Sequence, residues 1–103
     1  MLNQLVLVGR LTKDVEVKEI GDKKVSTVVI AVPRPFKNAD GEYETDFIPC
    51  TVWNGIADNV AEYCKKGDLL GIKGRIESKD NNIYIVAEKV TFLSSNKGEK
   101  ENE

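Results

Sequence analysis

A chain of 103 residues, 41% hydrophobic and 31% charged, suits one compact domain with a single core and is too short for two ordinary ones. The absence of histidine excludes histidine-based acid–base catalysis and metal ligation, and no segment approaches the roughly 20 uninterrupted apolar residues of a membrane-spanning helix. A formal net charge of −2 gives no global attraction to polyanions, so such a partner would have to be held by local clusters of Lys and Arg.

The start, MLNQLVLVGRL, alternates apolar with polar residues and lacks the basic leader and cleavage site of a signal peptide, so a cytoplasmic location is expected. Leu2 to Leu11 predicts a first strand, apolar on both faces over Leu5 to Val8, with Gly9 marking a bulge or a close backbone approach. Thr12 to Ile20 reads as extended and more polar, and IGDKK as a turn. Val25 to Val32 predicts a second strand with Val28, Ile30 and Val32 on one face, ended by Pro33 and Pro35. PRPFKNADGEYET, Pro33 to Thr45, reads as a loop turning at Ala39-Asp40-Gly41.

Asp46 to Trp53, DFIPCTVW, predicts a third strand. Ile48, Cys50 and Val52 share one face, as a core-facing strand requires, and Phe47, Pro49, Thr51 and Trp53 share the other. Pro49 has no N–H to donate, so an exposed edge or a bulge is expected there. In NGIADNVAEYCKKG, Ile56, Val60 and Cys64 recur at helical spacing, Ala57 and Ala61 widen the stripe, Asn54 is the candidate N-cap and Gly67 the stop after two lysines. Asp68 to Glu77 predicts a fourth strand, with Leu70, Ile72 and Ile76 on one face and Leu69, Gly71, Lys73, Arg75 and Glu77 on the other. Asp80-Asn81-Asn82 turns the chain into a fifth strand, Ile83 to Leu93, and residues 94–103 read as a disordered polar tail. Cys50 and Cys64 lack metal-ligand spacing and read as two buried thiols.

This order predicts an all-β domain over residues 1–93, a five-stranded Greek-key OB barrel with one α-helix between strands three and four plugging one end. A small barrel of another type fits the same pattern. No Ser/His/Asp set and no Gly-rich loop with phosphate-loop spacing occurs, and the glycines of VGRLTKD and GIKGR read as strand bulges or barrel bends. No catalytic residue, metal site or cofactor is therefore expected.

The outer face carries the more informative pattern. Phe47 and Trp53 flank the small Thr51, Phe36 sits in the adjoining loop between Arg34 and Lys37, Lys73 and Arg75 share the outer face of the fourth strand, and Arg10 and Lys13 lie near the end of the first. Aromatics interleaved with cations suit single-stranded nucleic acid, because each base stacks on a ring while phosphates pair with Lys and Arg. Core or interface packing is the commoner role of a strand aromatic such as Phe47 or Trp53, and a solvated face that of Lys73 and Arg75. The loop acids Asp40, Glu42, Glu44 and Asp46 would repel phosphates if they faced the groove. Tyr43 and Tyr84 fit either stacking or packing with the hydroxyl in water.

LNQLVLVGRLTKDVEV, VVIAVPRPFKNADGEYETDFIPCTVWNGIADNVAEYCKKGDLLGIKGRI and VAEKVTFL resemble, in order over nearly all of residues 1–93, the bacterial single-stranded DNA-binding protein family. The resemblance implies an OB fold that assembles into a homotetramer; a dimeric primosome-type OB subunit and an OB module that binds protein without nucleic acid are the alternative readings. The resemblance also implies wrapping of single-stranded DNA without sequence preference, in replication, recombination or repair. Its stacking positions fall on Phe36, Phe47 and Trp53, and its basic contacts on Arg10, Lys13, Arg34, Lys37, Lys73 and Arg75. The hairpin SKDNNIY is shorter than is usual in the family, and Tyr84 is the nearby candidate for a further stacking position. KGEKENE has acids but no apolar tip, so recruitment of partners through an acidic-hydrophobic C-terminus is not carried over.

Overall fold

The computed structural model describes residues 2–95. The elements are β1 (Leu5–Leu11), β2 (Lys18–Ile20), β3 (Lys23–Lys37), β4 (Tyr43–Trp53), α1 (Asn54–Tyr63), β5 (Leu69–Lys79) and β6 (Asn82–Ser94). The expected tail therefore begins no earlier than Ser95, and residues 96–103 lie outside the described residues.

The sheet closes on itself. Its order is β1-β5-β6-β4-β3-β2, and β1 returns to β3 through Arg10↔Ala31 and Leu11↔Ile30. β4 meets β6 in parallel over Cys50↔Ile85 and Thr51↔Val86, while the other pairings are antiparallel. Five long strands in this Greek-key order form the OB barrel. β2 is an additional three-residue arm hairpinned onto β3. It puts the helix between β4 and β5 in chain order, one strand later than expected, although between the third and fourth strands of the barrel itself. A run as short and polar as KEI shows no periodicity that would announce it.

Period-two burial builds the core. Val28 and Ile30 of β3, Cys50 and Val52 of β4, and Leu70 and Ile72 of β5 are fully buried together with Leu11, and α1 adds Ala57 and Val60 at the barrel's end. The expected inward face of DFIPCTVW is thus the core face. Ile76 is not part of that core: it lies on the β5–β6 hairpin and is exposed. Both thiols are free and buried, and desolvation pushes the Cys50 thiol up to about 11, which leaves it inert at neutral pH.

Gly9 and Gly74 are where the barrel walls touch. A β-carbon on Gly9 would stand 2.5 Å from the Ala31 carbonyl oxygen, and one on Gly74 would meet the Val86 carbonyl oxygen. The β5–β6 register slips beside the latter, between Lys73 and Gly74. The bend read from GIKGR is therefore present.

Three local expectations change. β3 does not end at Pro33 but runs to Lys37, because a register shift between Pro33 and Lys37 absorbs the prolines, which lack a donor for a regular ladder. The loop shrinks to a tight turn in which the Asn38 side chain accepts the N–H groups of Asp40 and Glu42. Asn54 is not the N-cap. Trp53 holds that position without a side-chain cap bond, and Asn54, at φ +51°, accepts the Lys24 N–H instead. The helix ends at Tyr63, and Gly67 turns the chain only later, so Lys65 and Lys66 lie beyond the last helical turn.

That exit is latched to the first strand. The Lys65 and Lys66 N–H groups donate to the carboxylates of Asp68 and Asp14, and Arg10 Nη1 donates to the Gly67 carbonyl at 2.9 Å. Among the described residues no helix is long and apolar enough to cross a membrane.

Candidate nucleic-acid interface

The outward face of β4 is a row set by pleat and register. Trp53, Thr51, Pro49 and Phe47 stand opposite Val25, Thr27, Val29 and Ala31 of β3, so the rings have small or aliphatic neighbours across the strand. Phe47 is 66% exposed and Trp53 38%. The same parity continues to Tyr43, 62% exposed, which pairs with Lys37 and carries its ammonium 5.7 Å from the ring centroid. Tyr43, Phe47 and Trp53 therefore share one face along about 33 Å of extended strand. Tyr43 was left open by the sequence because its segment reads as loop; its odd-numbered parity with Phe47 and Trp53 was the available signal.

Concavities border the row on two sides. One, of about 460 Å³, is lined by Thr27, Pro49, Thr51, Asn82, Ile83 and Tyr84, which sets Tyr84 beside the β4 row. The other, of about 450 Å³, is lined by Lys13, Asp14, Glu16, Lys18, Val25, Ser26 and Thr27. Thr27 lines both, so they adjoin as a trough across β3 and β4, with Tyr84 on one bank and Lys13 and Lys18, interleaved with Asp14 and Glu16, on the other. Lys18 was missed, since the short strand carrying it has no sequence signature. Pro49 fits its expected environment, for among the described residues β4 upstream of Cys50 pairs with β3 alone and the open edge faces the first concavity.

The cations divide. Arg10 lies in one register row with Ala31 and Phe47, while its guanidinium also holds the Gly67 carbonyl. Arg75 shares a row with Val86, Thr51 and Thr27 across four strands. It is already engaged by two carboxylates: Nε donates to Glu77 at 2.8 Å and Nη1 to Glu88 at 3.0 Å. Lys73 sits between Val6 of β1 and Lys89 of β6, two strands away from β4. Phe36 is 61% exposed on the projecting β3 arm, within the irregular stretch whose register assigns it to neither face.

Arg34 is the clear separation. Its Nε and Nη2 donate to the two oxygens of Asp46 at 3.1 and 2.9 Å, and its Nη1 lies 3.7 Å from Glu44. Glu44 and Asp46 follow the parity of Ile48, so this cluster occupies the side of the hairpin opposite Phe47. The Arg34 hydrogen bonds hold the Asp46 carboxyl below its ordinary range. Two of the acids expected to trouble a phosphate are thereby turned away from the aromatic row and paired. Metal-ligating clusters of His, Cys, Asp and Glu are absent among the described residues.

A closed OB barrel with an exposed aromatic row beside a trough lined by Tyr84, Lys13 and Lys18 defines a class of binding surface rather than a catalytic cleft. The profile of the Single-strand binding protein family matches residues 2–93, and the chain belongs to that family. It is 48% identical over 105 aligned residues to single-stranded DNA-binding protein 3 of Listeria innocua, covering 92% of this chain and 66% of that protein. It is 42% identical to single-stranded DNA-binding protein B of Bacillus subtilis, with 97% of each chain covered. Single-stranded DNA-binding protein 1 of Lactococcus lactis is 44% identical, over 94% of this chain and 71% of the relative. The chain thus spans about two thirds of one of these relatives and nearly all of another.

Proposed function

We propose that this chain binds single-stranded DNA without sequence preference and takes part in replication, recombination or repair in the cytoplasm, at the nucleoid, without performing catalysis. The observation that carries the reading is the solvent-facing row Tyr43, Phe47 and Trp53 beside the trough between Tyr84 and Lys13. Rings that face solvent along one strand contribute little to the core, whereas each offers a stacking face to any base. The names of the relatives support DNA as the strand.

Titration with oligothymidine, read by quenching of Trp53, tests it. Binding is expected, with log affinity falling linearly against log salt as phosphates replace counterions on the lysines and arginines. Absence of binding at low salt would refute the proposal.

Assembly into a homotetramer belongs to the same reading. β1 pairs with β5 from Leu5 to Arg10 but with β3 only at Arg10 and Leu11, so its second edge is open where Val6 and Val8 are exposed. An open edge with apolar side chains is the feature that a second copy covers. Sedimentation equilibrium should give a tetramer, and a Val6→Lys variant should fall to a smaller species. A monomeric parent chain would overturn this part.

A further inference from the structure

The projecting end of the β3–β4 hairpin lacks a continuous ladder. Pro33 pairs with Thr45 and the next pair is Lys37 with Tyr43, so β3 carries two more residues than β4 across the gap. Pro33 borders that gap and Pro35 lies in it, and neither donates a backbone hydrogen bond. Yet Phe36 lies within it, and Lys37 and Tyr43 on the arm beyond it, three of the groups that a bound strand would meet.

Arg34, the first residue inside the gap, is held across the hairpin at the gap's barrel-side edge, where Asp46 still pairs with Val32. Both of its acceptors, Asp46 and Glu44, belong to β4, and its contact with Asp46 is the two-pronged one that fixes direction as well as distance. A single flexible ion pair at a surface contributes little, but a bidentate guanidinium–carboxylate contact within a three-charge cluster is the geometry in which such a pair holds its place. The cluster also lies on the side of the hairpin away from Phe47.

We infer that Arg34 is a positioning residue: its grip on Asp46, backed by Glu44, substitutes for the missing ladder bonds and fixes the arm that presents Lys37, Tyr43 and Phe36 to a nucleic-acid strand. It does not itself take a phosphate. The ligand in this inference rests on the function proposed above; the latch does not.

The experiment uses Arg34→Asp, Asp46→Arg and the double variant that reverses the pair, with two readouts. The first is hydrogen exchange at the backbone amides of Lys37, Tyr43 and Thr45 in the free protein. Each single substitution should speed exchange about tenfold, and the reversed pair should bring it back to within about twofold. The second is affinity for oligothymidine. Both singles should bind more weakly, including Asp46→Arg, which adds positive charge and would bind more tightly if long-range attraction alone mattered. The reversed pair should recover affinity.

Exchange unaffected by the single substitutions would overturn the latch. Recovery of exchange without recovery of affinity would overturn the positioning role and make Arg34 a direct phosphate ligand. A parent chain with no affinity for oligothymidine would overturn the presenting role together with the nucleic-acid reading, and exchange would then decide the latch alone.

Discussion

Phe47→Ala should weaken oligothymidine binding by about 5–150-fold, the factor equivalent to the 1–3 kcal/mol that stacking one base on an aromatic contributes. The same substitution should leave thermal stability nearly unchanged. The ring is 66% exposed and stands opposite Ala31, so its removal opens no cavity. This separation of binding from folding makes Phe47 a cleaner probe than Trp53, which is less exposed, occupies the N-cap position of α1 and supplies the fluorescence. Phe47→Tyr should retain most of the affinity, because the stacking face is kept. The measurements are a fluorescence titration at fixed salt and a thermal melt. An unchanged affinity in a folded Phe47→Ala protein would remove Phe47 from the binding surface.

Gly74→Ala should have the largest effect on stability, about 3 kcal/mol or about 12–24 °C in Tm, the upper end of what overpacking costs. The added methyl group would press on the Val86 carbonyl, and backbone in a paired strand cannot swing aside as a side chain can. Gly71→Ala is the matched control on the same strand. There the new carbon would rest 3.6 Å from Leu93 Cδ1, an ordinary contact, and stability should change little. Equal melting temperatures for the two variants would contradict the close approach of β5 and β6 at the bend.

These two residues also mark how far the sequence reaches. Of the glycines in VGRLTKD and GIKGR, read as bulges or barrel bends, Gly9 and Gly74 stand at close backbone approaches while Gly71 does not. Alternation separated Ile48, Cys50 and Val52 from Phe47 and Trp53, since side-chain direction in a strand is a local property. The continuation of β3 through two prolines was hidden, because a bulge exists only in relation to the partner strand. For the same reason Tyr43 read as loop and the pairing of Arg34 with Asp46 was not visible. A basic residue beside an aromatic looks alike in sequence whether it faces the groove or turns to a carboxylate on the far side of the hairpin. Asn54 had the right chemistry for a cap, but the Lys24 N–H competed for its side chain.

Arg75 arrives at any ligand with its charge already balanced by Glu77 and Glu88. A phosphate that took their place would shed its own counterions, but the two released glutamates would recruit cations from solution in exchange. The net ion release at this position would be close to nil, so a salt slope would undercount the phosphates the surface touches. The protein would then hold its strand with less sensitivity to ionic strength than its arginines and lysines imply.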